Sequence, residues 1–247
     1  MTPAIEIRKL VKNYGPIQAV KSISFEIQSG TFFGFLGPNG AGKTTTIHIL
    51  TGLCNRTSGE IRVFGKDVTT DYIDCRRRIG FGPQEFNFDR FFSIQKLLEF
   101  SAGYFGVSRK VARKRTEELL ERFDLIDKRN EHAPKLSGGL KRRLLIAKAL
   151  VHDPDILILD EPTAGVDIET RHEIWEYLNQ LNRQGKTIFL TTHYLEEAEK
   201  LCRDIAIIHE GTIVERGLTS ELMQRDGTNL ERIFLRLVQN RTETNVG

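Results

Sequence analysis

Cysteine is scarce in this chain and poorly placed for cross-links: Cys54, Cys75 and Cys202 are odd in number, far apart and in no CxxC pair. That argues against a disulfide framework or a zinc site and for a reducing compartment. Excess charge of one sign is also missing. Lys plus Arg number 36 against 33 Asp plus Glu, for a formal net charge of +3. Near balance demands neither nucleic acid nor anionic lipid, and the short basic clusters at 76–78, 109–115 and 141–143 read as solvated helix faces. No uninterrupted apolar run approaches the roughly 20 residues needed to span a bilayer. Residues 1–10 carry Glu6, Arg8 and Lys9 and no apolar signal core. There is no internal repeat, Pro-rich linker or low-complexity tract. The expectation is a soluble cytoplasmic chain that binds no nucleic acid and reaches any membrane through a partner.

At 247 residues the chain suits one large α/β domain, or a core with a subdomain. Residues 5–11 and 17–27 alternate apolar and polar and read as antiparallel strands joined at Tyr14-Gly15-Pro16. Strands are expected at 59–64 and 79–81. From about 93 to 151 the period turns helical, with Leu97 and Leu98, then Leu119 and Leu120, then 140–150. Strand–helix alternation resumes at 156–159, 169–184, 187–190 and 194–201, and 205–208 pairs with 212–214 as a hairpin. This describes an α/β core with an antiparallel β lobe and an inserted α-helical subdomain. The stretch 223–247 is expected to be a short helix and a frayed polar end.

The densest chemistry follows the apolar run Phe32-Phe33-Gly34-Phe35-Leu36. Gly37-Pro38-Asn39-Gly40-Ala41-Gly42-Lys43-Thr44 is a P-loop, between a strand and a helix, so the fold class is α/β with a P-loop NTPase core. Its glycines let backbone N–H groups converge on phosphate, Lys43 adds a point charge toward the β- and γ-phosphates, and Thr44 offers a hydroxyl to Mg²⁺. With Thr45 opening the helix, residues 37–45 form the expected ATP cradle. The apolar strand Ile156-Leu157-Ile158-Leu159 ends in Asp160, placed to hold Mg²⁺, and Glu161, placed to orient or deprotonate a water. Leu136-Ser137-Gly138-Gly139-Leu140 is a second anion-binding helix start, with Ser137 as N-cap.

In this order, with Ala164-Gly165-Val166-Asp167 and His193, these motifs resemble the ATP-binding cassette (ABC) ATPases over roughly residues 5–220. The resemblance implies a head-to-tail homodimer with ATP at its interface, in which Ser137, Gly138 and Gly139 touch the γ-phosphate held by the partner's Lys43. It also implies adenine stacking by Tyr14 and a link from γ-phosphate and Mg²⁺ to a separate transmembrane permease through Gln84. Asp167 falls at the dimer contact, and His193 senses the γ-phosphate. The catalytic set is then Glu161, His193, Lys43 and Gln84, and the metal set Thr44, Gln84 and Asp160. The implied domain, 1–222 with its helical insert at about 88–152, is followed by 223–247. The wording Thr192-His193-Tyr194-Leu195-Glu196-Glu197-Ala198-Glu199 resembles exporters of drugs, antibiotics, lipids or polysaccharides. That implies an ATPase on the inner face of the membrane; the rival class is a soluble cassette acting on ribosomes or DNA.

One position departs from the family. The fifth signature residue, commonly Gln, is Leu140, so a contact to ribose or the opposing subunit is in doubt while hydrolysis is expected to survive. Residues 86–92, rich in Phe, read equally as subdomain core or as a groove for a membrane partner's helix. His48, His132, His152, His172 and His209 receive structural readings.

Overall fold

The computed structural model describes residues 2–227 and 229–244. Among the described residues ten strands form two sheets. The antiparallel one contains β1 (Ile5–Tyr14), β2 (Ile17–Ile27), β4 (Ser58–Val63) and β5 (Lys66–Asp67) in the order β2-β1-β4-β5. The larger contains β3 (Phe32–Leu36), β6 (Ile79–Gly82), β7 (Ile156–Asp160), β8 (Thr187–Thr192), β9 (Asp204–His209) and β10 (Thr212–Leu218) in the order β10-β9-β3-β8-β7-β6. It is parallel except for the terminal β9–β10 hairpin.

The period of two explains why β3 is apolar throughout, β7 as far as Leu159, and β8 from Ile188 to Leu190. Leu157 and Leu159 enter one core with Phe32, Leu36, Ile188 and Leu190. Ile156 and Ile158 enter the other with Phe33, Phe35 and Phe189. A strand covered on both faces has no position left for a polar side chain until it ends. The polar residues therefore begin at the carboxyl ends, at Asp160 and Thr191, where open α/β sheets place their ligands.

Helices cover the first face. Between β6 and β7 the chain forms α3 (Ile94–Tyr104), α4 (Arg109–Arg122) and α5 (Gly138–Leu150). Ser93 caps α3 by accepting from Lys96 N, and buried Ile94, Leu97, Leu98 and Ala102 line one side of that helix. The helix α6 (Ile168–Arg183) precedes β8, and α7 (Leu195–Leu201) follows it. The second face receives α1 (Lys43–Leu50), α2 (Tyr72–Arg78) and the antiparallel lobe. Phe25 of β2 stacks on Phe33 at 5.4 Å and lies 5.5 Å from Phe35, while Phe189 meets all three rings at 5.5–6.3 Å. This cluster joins the two sheets.

The C-terminal region differs from expectation. It contains two helices, α8 (Thr219–Asp226) and α9 (Leu230–Thr244), not one. Leu230 and Ile233 are fully buried, and Phe234 and Leu237 pack partly against the same core. Positions 230, 233, 234 and 237 form an i, i+3, i+4, i+7 stripe that fixes α9 in place. The expected frayed end at 245–247 lies outside the described residues. The closing strand β10 also runs four residues beyond the expected 214, with a register shift between Ile213 and Glu215.

Candidate functional site

The cradle 37–45 begins where β3 ends. A Cβ at Gly37 would meet the Ile208 carbonyl at 2.3 Å, so only glycine lets the loop lie against β9. Gly42, with φ +106°, is the N-cap of α1, and a Cβ there would strike the Ala19 carbonyl at 2.6 Å. No side chain caps α1, which leaves its first-turn N–H groups free for an anion. Asn39 and Gly40 are exposed, Pro38 and Thr45 half-buried, Ala41 buried. Lys43 is 5 % exposed, and its Nζ donates to the carbonyls of Gly37 at 2.7 Å and Pro38 at 3.0 Å. Burial lowers its pKa, and the carboxylates of Glu161 and Asp160 partly restore it.

Asp160 is bonded at both oxygens. Thr44 Oγ1 donates to Oδ2 at 3.0 Å, and Thr191 Oγ1 makes a short bond to Oδ1. The donors at this point are a hydroxyl and a carboxylate, hard oxygens of the kind Mg²⁺ takes. Among the described residues no cluster of three or more His, Cys, Asp or Glu could hold a metal by itself.

Glu161 turns the other way because its φ is +51°, the left-handed region that non-glycine residues rarely adopt. Its N–H donates to the Thr191 carbonyl at 3.0 Å, which holds this conformation. The carboxylate is 6 % exposed and is fixed from two sides. Gln84 Nε2 donates to Oε2 at 3.1 Å, and His193 Nδ1 lies 3.1 Å from Oε1. Gln84 commits its amide nitrogen to Glu161 and keeps its oxygen as the acceptor end.

Tyr14 ends β1 and is 47 % exposed, a ring open for stacking, with Lys12 Nζ 4.7 Å from its centroid. Its hydroxyl lies 3.4 Å from Cys54 Sγ, and that bond is the main cause of a raised phenol pKa.

Ser137 caps α5, accepting from Leu140 N at 3.3 Å. Asp167 caps α6: Oδ1 accepts from Thr170 N at 2.8 Å and Oδ2 from Thr170 Oγ1 at 3.0 Å. These two helix starts share one open cleft of about 460 Å³, lined by Ser137, Gly138, Gly139, Arg143, Val166 and Asp167 among others. None of residues 37–45 lines it. The structure thus groups Lys43, Thr44, Gln84, Asp160, Glu161 and His193 in one place, and puts Ser137, Gly138, Gly139 and Asp167 in another. Leu140 packs half-buried against the core.

Three residues in this region were not picked out as site residues in the sequence. Thr191 bridges Asp160 and Glu161. Glu197 is fully buried, accepts from Thr163 Oγ1 and Trp175 Nε1, and has its pKa raised by burial. Arg142 is buried behind Gln84. Thr191 precedes Thr192-His193, which was a usable signal; the other two read as ordinary helix charges.

The Phe-rich segment splits between its two readings. Asn87, Asp89 and Phe92 line an apolar groove of about 580 Å³ with Phe81, Leu97 and Phe100. Phe88 packs on the core, and Phe86 covers Arg142.

Residues 20–164 match the ABC transporter family. Over 232 residues the chain is 44 % identical to the Nod factor export ATP-binding protein I of Paraburkholderia xenovorans strain LB400, covering 94 % of this chain and 76 % of that protein. A solved ATP-binding subunit of an ABC transporter superposes with TM-score 0.88 at 26 % identity, over 95 % of this chain and 99 % of that one. A dimeric cassette, MJ0796, in a post-hydrolysis state with ADP and Pi, gives 0.80 at 28 % identity over 87 % and 98 %.

Proposed function

The chain belongs to the ABC transporter family, and from that premise we propose that it is the ATP-hydrolysing subunit of an exporter, driving a separate membrane-spanning permease. It is an ATP-binding protein and an ATPase. The observation that carries the fuller reading is the separation of its two anion-binding helix starts. Lys43 and its cradle occupy one surface, while Ser137, Gly138 and Gly139 open onto a cleft with no cradle residue. Each half lacks what the other supplies, so a head-to-tail pair of chains completes two sites.

ATP lies with its phosphates on the N–H groups of 37–45 and its base on Tyr14. Lys43 balances charge at the β- and γ-phosphates. Thr44, Asp160 and Gln84 would hold Mg²⁺, which would neutralise phosphate charge. Glu161 accepts a proton from the attacking water as the bond to the γ-phosphorus forms and ADP leaves. Gln84 and His193 fix the carboxylate for that transfer, and His193 presents its other nitrogen to the γ-phosphate. Binding closes the pair; hydrolysis releases it.

The groove bearing Phe81, Phe92 and Phe100 receives a short helix of the permease, and its closeness to Gln84 in sequence ties docking to the catalytic carboxylate. Among the described residues no helix is long and apolar enough to cross a membrane. Attachment on the inner membrane face through the permease belongs to the same proposal. Residues 1–222, with the helical part at about 88–152, form the ATPase domain, and 223–247 an appended C-terminal part. The relatives compared favour export, and none favours a ribosome- or DNA-directed role.

The test is co-expression with a candidate permease, sought as an adjacent reading frame with about six transmembrane helices, followed by reconstitution. Export reading requires co-purification and an ATPase rate that rises in the complex. Phe92→Asp should abolish that rise and leave the isolated subunit's rate unchanged. A complex that assembles and is stimulated equally well with Phe92→Asp removes the groove from the mechanism.

A further inference from the structure

Arg142 lies in the second turn of α5 and is 3 % exposed, a burial that full charge tolerates only with partners. Its partners are all backbone carbonyls, on two loops far apart in sequence. Nη1 faces Pro83 O at 3.4 Å and Gln84 O at 3.3 Å; Nη2 faces Ala164 O at 3.4 Å. The ring of Phe86 closes over the guanidinium at 4.7 Å. Nε has no hydrogen-bond partner, so the side chain is held by its fork alone.

Both loops lead to the same residue. Gln84 Nε2 donates to Glu161 Oε2 at 3.1 Å, and Ala164 N donates to Glu161 O at 3.2 Å. Arg142, Gln84, Glu161 and Ala164 therefore form a closed hydrogen-bonded circuit. One side of it grips the carboxylate, the other the backbone that carries it. A lysine has the charge but no planar fork, and spans one loop rather than two. The carboxylates of Glu161 and Asp160 also favour the charge on Arg142, against burial, which lowers its pKa.

We propose that Arg142 is a positioning residue for hydrolysis: by bracing the Gln84 loop against the Ala164 loop, it registers the Glu161 carboxylate to the helix that begins at Ser137. Because α5 starts with the signature, engagement of the partner's γ-phosphate at Ser137–Gly139 and the placement of Glu161 in the same chain are mechanically one event. This rests on Glu161 being the general base.

The test uses the full chain with Arg142→Met, Arg142→Lys, Gln84→Ala and the Arg142→Met/Gln84→Ala double variant, with Glu161→Gln alongside. Steady-state ATPase, equilibrium binding of trinitrophenyl-ATP, and amide exchange of residues 83–92 and 161–167 are measured. Arg142→Met should lower kcat roughly 10- to 100-fold with KM within about 2-fold of the parent, as expected for a misplaced catalytic group. Both segments should exchange faster, Arg142→Lys should recover part of kcat, and the double variant should be no slower than its slower parent. Unchanged kcat in Arg142→Met overturns the proposal. So does equal loss of kcat and nucleotide affinity in Met and Lys variants together, which marks a purely structural role. If Glu161→Gln turns over normally, the base reading fails instead. If Glu161→Gln is inactive and Arg142→Met is normal, only the brace fails.

Discussion

His193 Nδ1 stands 3.1 Å from Glu161 Oε1, while Gln84 donates to the opposite oxygen at 3.1 Å. The carboxylate is thus held between one residue just past β8 and another just past β6. A carboxylate so held can both orient a water and accept its proton.

Replacing Glu161 with Gln keeps the shape and removes the base. ATP affinity should change by less than about 3-fold, while turnover falls by roughly 100-fold or more, as removal of a positioned general base does. ATP should then trap the dimer, visible as a shift in gel-filtration elution. Normal turnover would take the base assignment away from Glu161.

Lys43→Ala removes the cradle's buried cation. Fluorescence titration with a nucleotide analogue should show affinity weakened at least tenfold, on the order of 1.4 kcal/mol or more for a charge-assisted phosphate contact. Retained affinity would mean that the loop carbonyls, and not phosphate, are the partners of that ammonium.

Ser137→Arg fills the signature cleft while leaving the cradle intact. Alone it should bind ATP and fail to hydrolyse it. Mixed with Lys43→Ala, it should regain activity, because each mixed dimer holds one site built from an unaltered cradle and an unaltered signature. Two dead variants that stay dead when mixed, in a dimer shown to exchange subunits, would contradict a shared site.

His152 gives a pH signature of stability. It is 8 % exposed, its ring stacks on Phe105 with centroids 3.7 Å apart, and burial pushes its pKa down to about 4. The unfolded imidazole keeps an ordinary value near 6.5, so between these values the unfolded chain binds the proton that the folded chain refuses. Its stability contribution is therefore complete above pH 6.5 and is lost as pH falls through 4, by up to about 3 kcal/mol. Urea melts at pH 7 and 5 should show the loss, and His152→Phe should flatten it; an unchanged slope in that variant would place the titration elsewhere.

Much of the fold could be read from residues 32–36, 156–159 and 188–190, because the covered middle of a strand has to be apolar at every position. The glycine loop at 37–42 was equally legible, since its glycines are needed for local backbone reasons, as at Gly37 and Gly42. The helices α8 and α9 were underread although the stripe at 230, 233, 234 and 237 was present; a polar sequence between apolar anchors hid it. Arg142 and Glu197 could not be found in this way. Their roles depend on contacts with Gln84 and Ala164, or with Thr163 and Trp175, which only the folded chain brings near. A buried guanidinium and a solvated one look alike in a string of letters.

The aromatic weld of Phe25 with Phe33, Phe35 and Phe189 carries a kinetic consequence. It fastens the lobe that carries Tyr14 to the strand that feeds Lys43, so these two have no hinge between them. On the proposed shared site, spent nucleotide would not leave by the lobe peeling back; its exit would wait on the parting of two chains, which would tie the turnover clock to assembly and disassembly rather than to breathing within one molecule.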